Sequence, residues 1–168
     1  MTPFDPIELL RVLSEHHVDF VVIGGFAAWM QGSPALTTDV DVVFAQAPEN
    51  VERLVTALRA LSAVYKDPLG RRIEPDTGRL ASRQGGGHHL FTTSAGDLDV
   101  LRQSNDWDYD RLIENCVEMD VAGARVRFAT LEAVLDMKTQ AGRPKDLLGI
   151  ANIKAAIEAR SADQEGDD

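Results

Sequence analysis

Thr37-Thr38-Asp39-Val40-Asp41-Val42-Val43-Phe44 reads as a β-strand whose two faces differ in chemistry. Side chains alternate along a strand, so Asp39 and Asp41 point to one face while Val40 and Val42 point to the other. Two ionised carboxylates held that close repel unless a cation lies between them. A hard divalent ion such as Mg²⁺ suits the position, since it takes one or two carboxylates together with substrate phosphates. Alternating acids also occur at a solvated strand start. Here the strand continues as Val42-Val43-Phe44-Ala45, apolar on both faces, as a central strand does. Acids at the end of a central strand are costly unless something offsets their burial.

Upstream, Phe20 to Ile23 reads as a short buried strand, Gly24-Gly25 as a turn, and Phe26 to Gln31 as a helix ended by Gly32-Ser33-Pro34. A strand that turns sharply into a helix aims free amides and the positive dipole end at whatever lies in front. Glycines there let a phosphate approach the backbone. A lone Gly-Gly is more simply a tight turn under a packed helix. Placed before the acidic strand, it points to a metal–nucleotide site. A third carboxylate is expected from a neighbouring strand, Gly96-Asp97-Leu98-Asp99-Val100-Leu101. Asp97 hugs the turn. Asp99 lies deeper between apolar residues, where an unpaired charge costs more, and is the preferred candidate.

The rest of the pattern is α/β, or α+β: a small mixed sheet flanked by helices and closed by C-terminal helices. Pro6 to His16 reads as a helix capped by Asp5, and Pro48 to Leu61 as a helix with one apolar face. His88 to Thr93 with Asp97 to Arg102, and Val117 to Val121 with Ala124 to Phe128, read as hairpins. Trp107 to Asn115 and Thr130 to Ala141 read as helices; Gly142 ends the second, and Lys145 to Ala159 forms the last. One domain is expected over 1–160, followed by an acidic disordered tail over 161–168.

With 17 Lys and Arg against 27 Asp and Glu among 168 residues, the formal net charge is −10. That argues against a general nucleic-acid binder, which carries a basic stripe, but not against a nucleic-acid substrate. The single cysteine, Cys116, excludes an internal disulfide and reads as a buried inert thiol. No secretory signal is visible, and the longest apolar run, Phe20 to Met30, is too short to span a bilayer. A soluble cytoplasmic protein without membrane association is expected. Ala63 to Arg83, with Pro68, Gly70, Pro75 and Gly78, reads as a mobile excursion carrying five basic residues against three acids. Its Arg71, Arg72, Arg79 and Arg83 are candidate acceptor contacts. His88 and His89 face opposite ways on a strand, so at most one can serve a site; structural roles are the simpler reading.

The run GGFAAWMQGSPALTTDVDVVF, from Gly24 to Phe44, resembles the signature of the polymerase-β-like nucleotidyltransferase superfamily. Within it, the pattern is most similar to the AbiEii-type nucleotidyltransferase toxins and their uncharacterised relatives. Lys138 and the string Ala141-Gly142-Arg143-Pro144-Lys145-Asp146 resemble the C-terminal motif of that group, so the similarity spans Val21 to Ile153. Two departures stand out. Gly24-Gly25 replaces a common Gly-Ser, and Pro34-Ala35-Leu36 stands where an arginine often precedes the strand.

The resemblance implies an enzyme, a nucleotidyltransferase that moves an NMP from an NTP to an acceptor hydroxyl on RNA, such as a tRNA end, or on a protein. It implies Mg²⁺ (or Mn²⁺) on Asp39, Asp41 and Asp99, a second ion shared with Asp99 activating the acceptor, and a nucleotide-binding set of Gly24, Gly25, Lys138, Arg143 and Asp146, with triphosphate contacts from Gly24, Gly25 and Lys138. Asp146 would orient Lys138 or Arg143. On their own, Lys138 reads equally as a solvated charge and Asp146 as a helix-dipole partner. The implied setting is the toxin of a toxin–antitoxin or phage-defence pair, with a cognate antitoxin as partner. Two alternatives remain open: a non-catalytic relative that binds a nucleotide or a partner protein, and a metal-dependent phosphohydrolase. Magnesium-dependent pyrophosphate release with an acceptor separates the first from both.

Overall fold

Asp5 opens the first helix, α1 (Pro6–Glu15), its Oδ1 accepting the Glu8 N–H at 3.1 Å while Pro6 takes the first helical position. The structure, a computed structural model, describes residues 2–34, 37–83 and 87–167. Ala35 and Leu36 of the departure before the acidic strand, and Gly85 and Gly86 ahead of the histidines, lie outside the described residues, as does Asp168.

The elements then follow as β1 (Phe20–Ile23), α2 (Gly24–Met30), β2 (Asp39–Phe44), α3 (Pro48–Ala60), β3 (Val64–Tyr65), α4 (Thr77–Ala81), β4 (His88–Thr93) and β5 (Gly96–Leu101). A two-residue ribbon, β6 (Gln103–Ser104) with β7 (Trp107–Asp108), leads into α5 (Tyr109–Ile113), β8 (Cys116–Val121), β9 (Ala124–Ala129) and α6 (Leu131–Ala141). A 3-10 turn at Pro144–Asp146 precedes α7 (Leu147–Gly166).

Seven strands form one mixed sheet in the order β3-β4-β5-β2-β1-β9-β8. β2 pairs parallel to β5, and β1 parallel to β9; the remaining pairs are antiparallel. β2 is thus central, flanked by β1 and β5. Val40, Val42, Leu98 and Val100 alternate with the acids and are fully buried. Their burial fixes the strand faces, because a one-residue slip would send the valines to solvent and the acids into the core. Leu10 and Leu13 of α1, Phe26 of α2, Leu54 and Leu58 of α3, and Val134 of α6 join the same core.

Four sequence expectations change. Ala63 to Arg83 is not a bare loop: β3 pairs with β4, Tyr65 N–H bonds Ile73 O at 2.9 Å, and α4 is capped by Asp76. The stretch from Trp107 is helical only from Tyr109, because Trp107 pairs with Ser104 and Asp108 caps α5. Residues 161–166, expected as a disordered tail, continue α7 as an exposed helix; Ala, Gln and Glu among them sustain the helical run. Cys116 is half-buried, not buried, with Sγ 3.4 Å from Ile113 O, and partial burial raises its pKa and favours the thiol.

Asn50 ties the sheet to α3. It is fully buried; its Oδ1 accepts the Asp19 N–H at 2.7 Å, and its Nδ2 donates to Asp19 O at 3.0 Å and Ala45 O at 2.7 Å. One side chain thereby joins the entry of β1 to the exit of β2. Asn50→Ala takes the partner from the part-buried Asp19 N–H and the Ala45 carbonyl, so it is expected to destabilise the fold by about 1–3 kcal/mol. Chemical denaturation checks this: the midpoint should fall with the slope unchanged.

Candidate functional site

The parallel register of β2 and β5 sets Asp39 beside Asp97 and Asp41 beside Asp99. Paired residues share a face, so the four carboxylates form a two-by-two array. In three of them, Asp39, Asp41 and Asp99, oxygens lie within 4.8 Å of one another. This is the one cluster of metal-ligating groups found among the described residues.

Burial raises the Asp41 carboxyl well above the usual carboxylate range, and the charges of Asp39 and Asp99 add to it, as does a hydrogen bond with Asp99 that only a protonated pair can form. The Lys138 charge opposes the shift. Burial raises Asp99 as well; Asp39 adds to this, while the bond to Asp41 and the Lys66 charge offset part of it. Asp99 Oδ1 is buried without a hydrogen-bond partner among the described residues. A half-buried group of three acids with an orphaned oxygen matches the all-oxygen, high-charge set that Mg²⁺ or Mn²⁺ takes. The residues therefore fit such an ion.

Gly24 explains how α2 comes so close. Its φ is +70, in the left-handed region, and a Cβ there would collide with Asp41 Oδ2 and stand 3.2 Å from Asp41 Cγ. Gly25 differs. A Cβ on it would meet only Thr37 Cβ and Oγ1, each at 3.7 Å, and its φ is ordinary. The backbone requirement rests on the first glycine. No side chain among the described residues caps the start of α2.

Lys138 lies on α6 with only 20% of its side chain exposed, its Nζ 3.5 Å from Asp146 Oδ1. Asp146 is buried, and Arg143 Nε donates to its other oxygen at 2.8 Å. Burial pushes Asp146 up, but Arg143 and Lys138 together hold it below the usual range. The three residues of the C-terminal motif therefore form one ion-pair group, and its lysine acts electrostatically on Asp41.

The four arginines of the excursion are not brought to the acids. Arg71 is bound by Asp67 at 2.7 Å, Arg79 by Asp76 at 3.2 Å, and Arg72 by Glu74 at 3.5 Å. Arg83 lies beside Arg102, lining a cavity of about 230 Å³ at the far end of β2 and β5. His89 is buried with Nδ1 2.9 Å from the Tyr65 hydroxyl, a structural placement; His88 shares the face of the acids but is exposed.

One residue near the acids was missed from the sequence. Lys66 Nζ lies 2.9 Å from Asp97 Oδ2. It was counted with the excursion because β3, which delivers it, is only two residues long. A lysine just after Val64-Tyr65 in a strand-forming context was the available signal.

No protein-family model matches the chain, and no curated protein matches it in sequence. Solved structures do resemble it. The antibiotic-resistance factor ANT(2″)-Ia, in complex with adenylyl-2″-tobramycin, has a TM-score of 0.56 at 17% identity over 93% of this chain and 87% of that one. The lincosamide antibiotic adenylyltransferase LnuA, lincomycin-bound, has a TM-score of 0.59 at 14% identity over 92% and 99%. An antigenic nucleotidyltransferase-like protein from Paracoccidioides brasiliensis has 0.51 at 18% over 94% and 79%. At these identities the likeness establishes the fold: it is that of nucleotidyltransferases. No helix among the described residues is long and apolar enough to cross a membrane.

Two outcomes follow from this geometry. A raised folded-state pKa favours folding fully below the unfolded value, about 4 for Asp. That contribution is lost as pH rises through the raised value. Metal-free Asp41→Asn should therefore be more stable than wild type at pH 8, with the difference shrinking toward pH 4. Mg²⁺ or Mn²⁺ should raise the wild-type melting temperature more at pH 8 than at pH 5 and leave Asp41→Asn unmoved. Equal metal responses in the two proteins would remove Asp41 from the site. Separately, Gly24→Ala should cost about 1–2 kcal/mol for its left-handed backbone, beyond any displacement of Asp41. Gly25→Ala should fold like wild type, and comparing the two melting temperatures checks which glycine the backbone requires.

Proposed function

We propose that the chain is a Mg²⁺-dependent nucleotidyltransferase that moves an NMP from an NTP to an acceptor hydroxyl. The observation that carries this reading is the triad of Asp39, Asp41 and Asp99 beside the Gly24-Gly25 turn, on a nucleotidyltransferase fold. A binding module without chemistry would gain stability by neutralising Asp41; the presence of that acid beside two others favours catalysis.

Asp39, Asp41 and Asp99 would hold the ion. When bound, Mg²⁺ neutralises phosphate charge and lowers the pKa of a coordinated hydroxyl. The amides at the start of α2 face the triphosphate and supply fixed dipoles there. Lys138, steadied by Asp146, contacts the outer phosphates and offsets charge that develops on pyrophosphate. Arg143 keeps Asp146 ionised and so keeps Lys138 in place. The acceptor oxygen bonds to the α-phosphorus as the bond to pyrophosphate breaks. Asp99, the acid on the β4 side, orients the hydroxyl for in-line attack and takes up its proton.

The acceptor is RNA or protein on the resemblance to AbiEii-type toxins, and an antitoxin partner belongs to that same reading. ANT(2″)-Ia and LnuA, by their names and bound molecules, act on antibiotics, so a small hydroxylated molecule is tested beside them. Support for acceptor contacts from Arg71, Arg72 and Arg79 is reduced, because each is held by an acid of its own segment.

The test is transfer of α-labelled NTP, with Mg²⁺ or Mn²⁺, to total RNA, extract proteins and small hydroxylated compounds. Label on an acceptor with pyrophosphate release is expected, and Asp39→Asn should abolish it. Hydrolysis without a labelled acceptor would favour the phosphohydrolase reading. Failure of all four NTPs to bind with metal would overturn the nucleotide reading. Lys138→Ala should weaken NTP binding by about 1.5–3 kcal/mol, the range for a hydrogen bond to a charged group. NMP binding should change much less, as titration calorimetry would measure.

A further inference from the structure

Asp97 is the fourth corner of the acid array, yet it is not part of the cluster whose oxygens converge. The partner of Asp97 is Lys66. Its N–H donates to Leu90 O at 2.9 Å, which sets it one step past the Tyr65–Phe91 pair and on the same face as Leu90. Leu90 lies opposite Asp99, so Lys66 reaches the acids from the β4 side. Its ammonium binds Asp97 at 2.9 Å. Burial works against the Lys66 charge, but the hydrogen bond to Asp97 and the charges of Asp97, Asp99 and Asp39 outweigh it. The same ammonium offsets part of the upward shift of Asp99.

Lys138 sits differently. It is held by Asp146 and acts on Asp41. The two lysines therefore attend different acids, Lys138 bearing on Asp41 and Lys66 on Asp97, Asp99 and Asp39.

We propose that Lys66, tethered by Asp97, is a resident counter-ion of the acid face that competes with the divalent ion and sets how tightly that ion binds. The inference rests on the metal-site reading, though not on nucleotidyl transfer. The ammonium makes a hydrogen bond where a metal would need a carboxylate, and it lowers the negative potential at Asp99 and Asp39. Asp97 is thereby excluded from the metal's ligands while keeping the lysine in place. Lys66 is a positioning residue in this role.

The charge arithmetic gives each variant a different sign. Lys66→Met removes a positive charge and frees a carboxylate beside the cluster, so both changes tighten cation binding. Asp97→Asn frees the ammonium and lowers the negative charge, so binding weakens. The double variant removes both charges and leaves the net charge of the site unchanged. Both groups are partly exposed, 38% for Lys66 and 41% for Asp97, so screening keeps the effects moderate.

The experiment is titration of Mn²⁺ alone into the full chain, followed by calorimetry and by loss of the free-Mn²⁺ spin-resonance signal. Lys66→Met should bind about three- to tenfold tighter than wild type and Asp97→Asn about three- to tenfold weaker, as expected for screened unit charges a few ångströms away. The double variant should return to within about twofold of wild type, and Lys66→Arg, which keeps the charge, should stay close to it. A melting curve for each variant confirms that the fold is intact. If Lys66→Met binds Mn²⁺ as wild type does, the counter-ion role is overturned while the metal site stands. If the double variant is as weak as Asp97→Asn alone, Asp97 is itself a ligand and the proposal is again overturned. If wild type and every variant fail to bind Mn²⁺, the metal-site reading falls and the proposal with it.

Discussion

The in-register parallel pairing of β2 with β5 is the constraint on which the site depends. It places Asp39 beside Asp97 and Asp41 beside Asp99, on strands one sheet spacing apart. Left to themselves, such acids repel, and burial makes the repulsion worse. The valines and leucines between them hold the arrangement. Val40, Val42, Leu98 and Val100 are fully buried, so the fold cannot relieve the acids by slipping a strand without exposing its core. The surrounding groups then act as responses to that stress. Gly24 gives Asp41 room, Lys66 takes Asp97, and Lys138 faces Asp41.

Much of this was legible in the sequence because it depends on local periods. The alternation in Asp39-Val40-Asp41-Val42 assigns faces without any knowledge of neighbours. The caps Asp5 and Thr130 and the left-handed Gly142 mark helix ends by local hydrogen bonding, and all three act as read. The hairpin turn at Ala122-Gly123 carries positive φ at both residues, as tight turns between strands demand. What was not legible depends on pairing between distant segments. Asp99 and Asp97 could be ranked only by apolar context; their different partners, Asp39 and Asp41 for the one and Lys66 for the other, come from pairing with β2 and from β3. The ribbon of β6 with β7 shortens the expected helix after Trp107, and nothing in the local pattern announces it.

The excursion shows why charge counting over a segment can mislead. Five basic residues against three acids suggested a free cationic surface. In the fold, Asp67 accepts from the Arg71 side chain and from the Leu69 and Arg71 N–H groups, and these bonds bring its pKa down to about 2. Asp76 is both the cap of α4 and the partner of Arg79. Asp67 and Asp76 thus serve the turns of the segment, and with Glu74 they pair Arg71, Arg79 and Arg72 at the same time. The lysine at its start is directed elsewhere, toward the acids, by two residues of strand.

The two lysines also differ in how firmly they are held. Asp146 is buried and shared between Lys138 and Arg143, so Lys138 keeps an ionised partner whether or not the acid face is neutralised. Among the described residues Lys66 has one tether, Asp97, and both groups are partly open to water. A divalent ion on the triad would repel Lys66 from Asp39 and Asp99 and leave it with Asp97 alone. A tethered cation with one exposed partner can swing without unfolding anything, whereas Lys138 cannot leave Asp146 without stranding a buried carboxylate beside Arg143 alone. On the proposed reading this gives the site a fixed side, where the triphosphate is held, and an adjustable side facing β4, where Leu90 and Thr92 lie exposed on the acid face and an acceptor can approach.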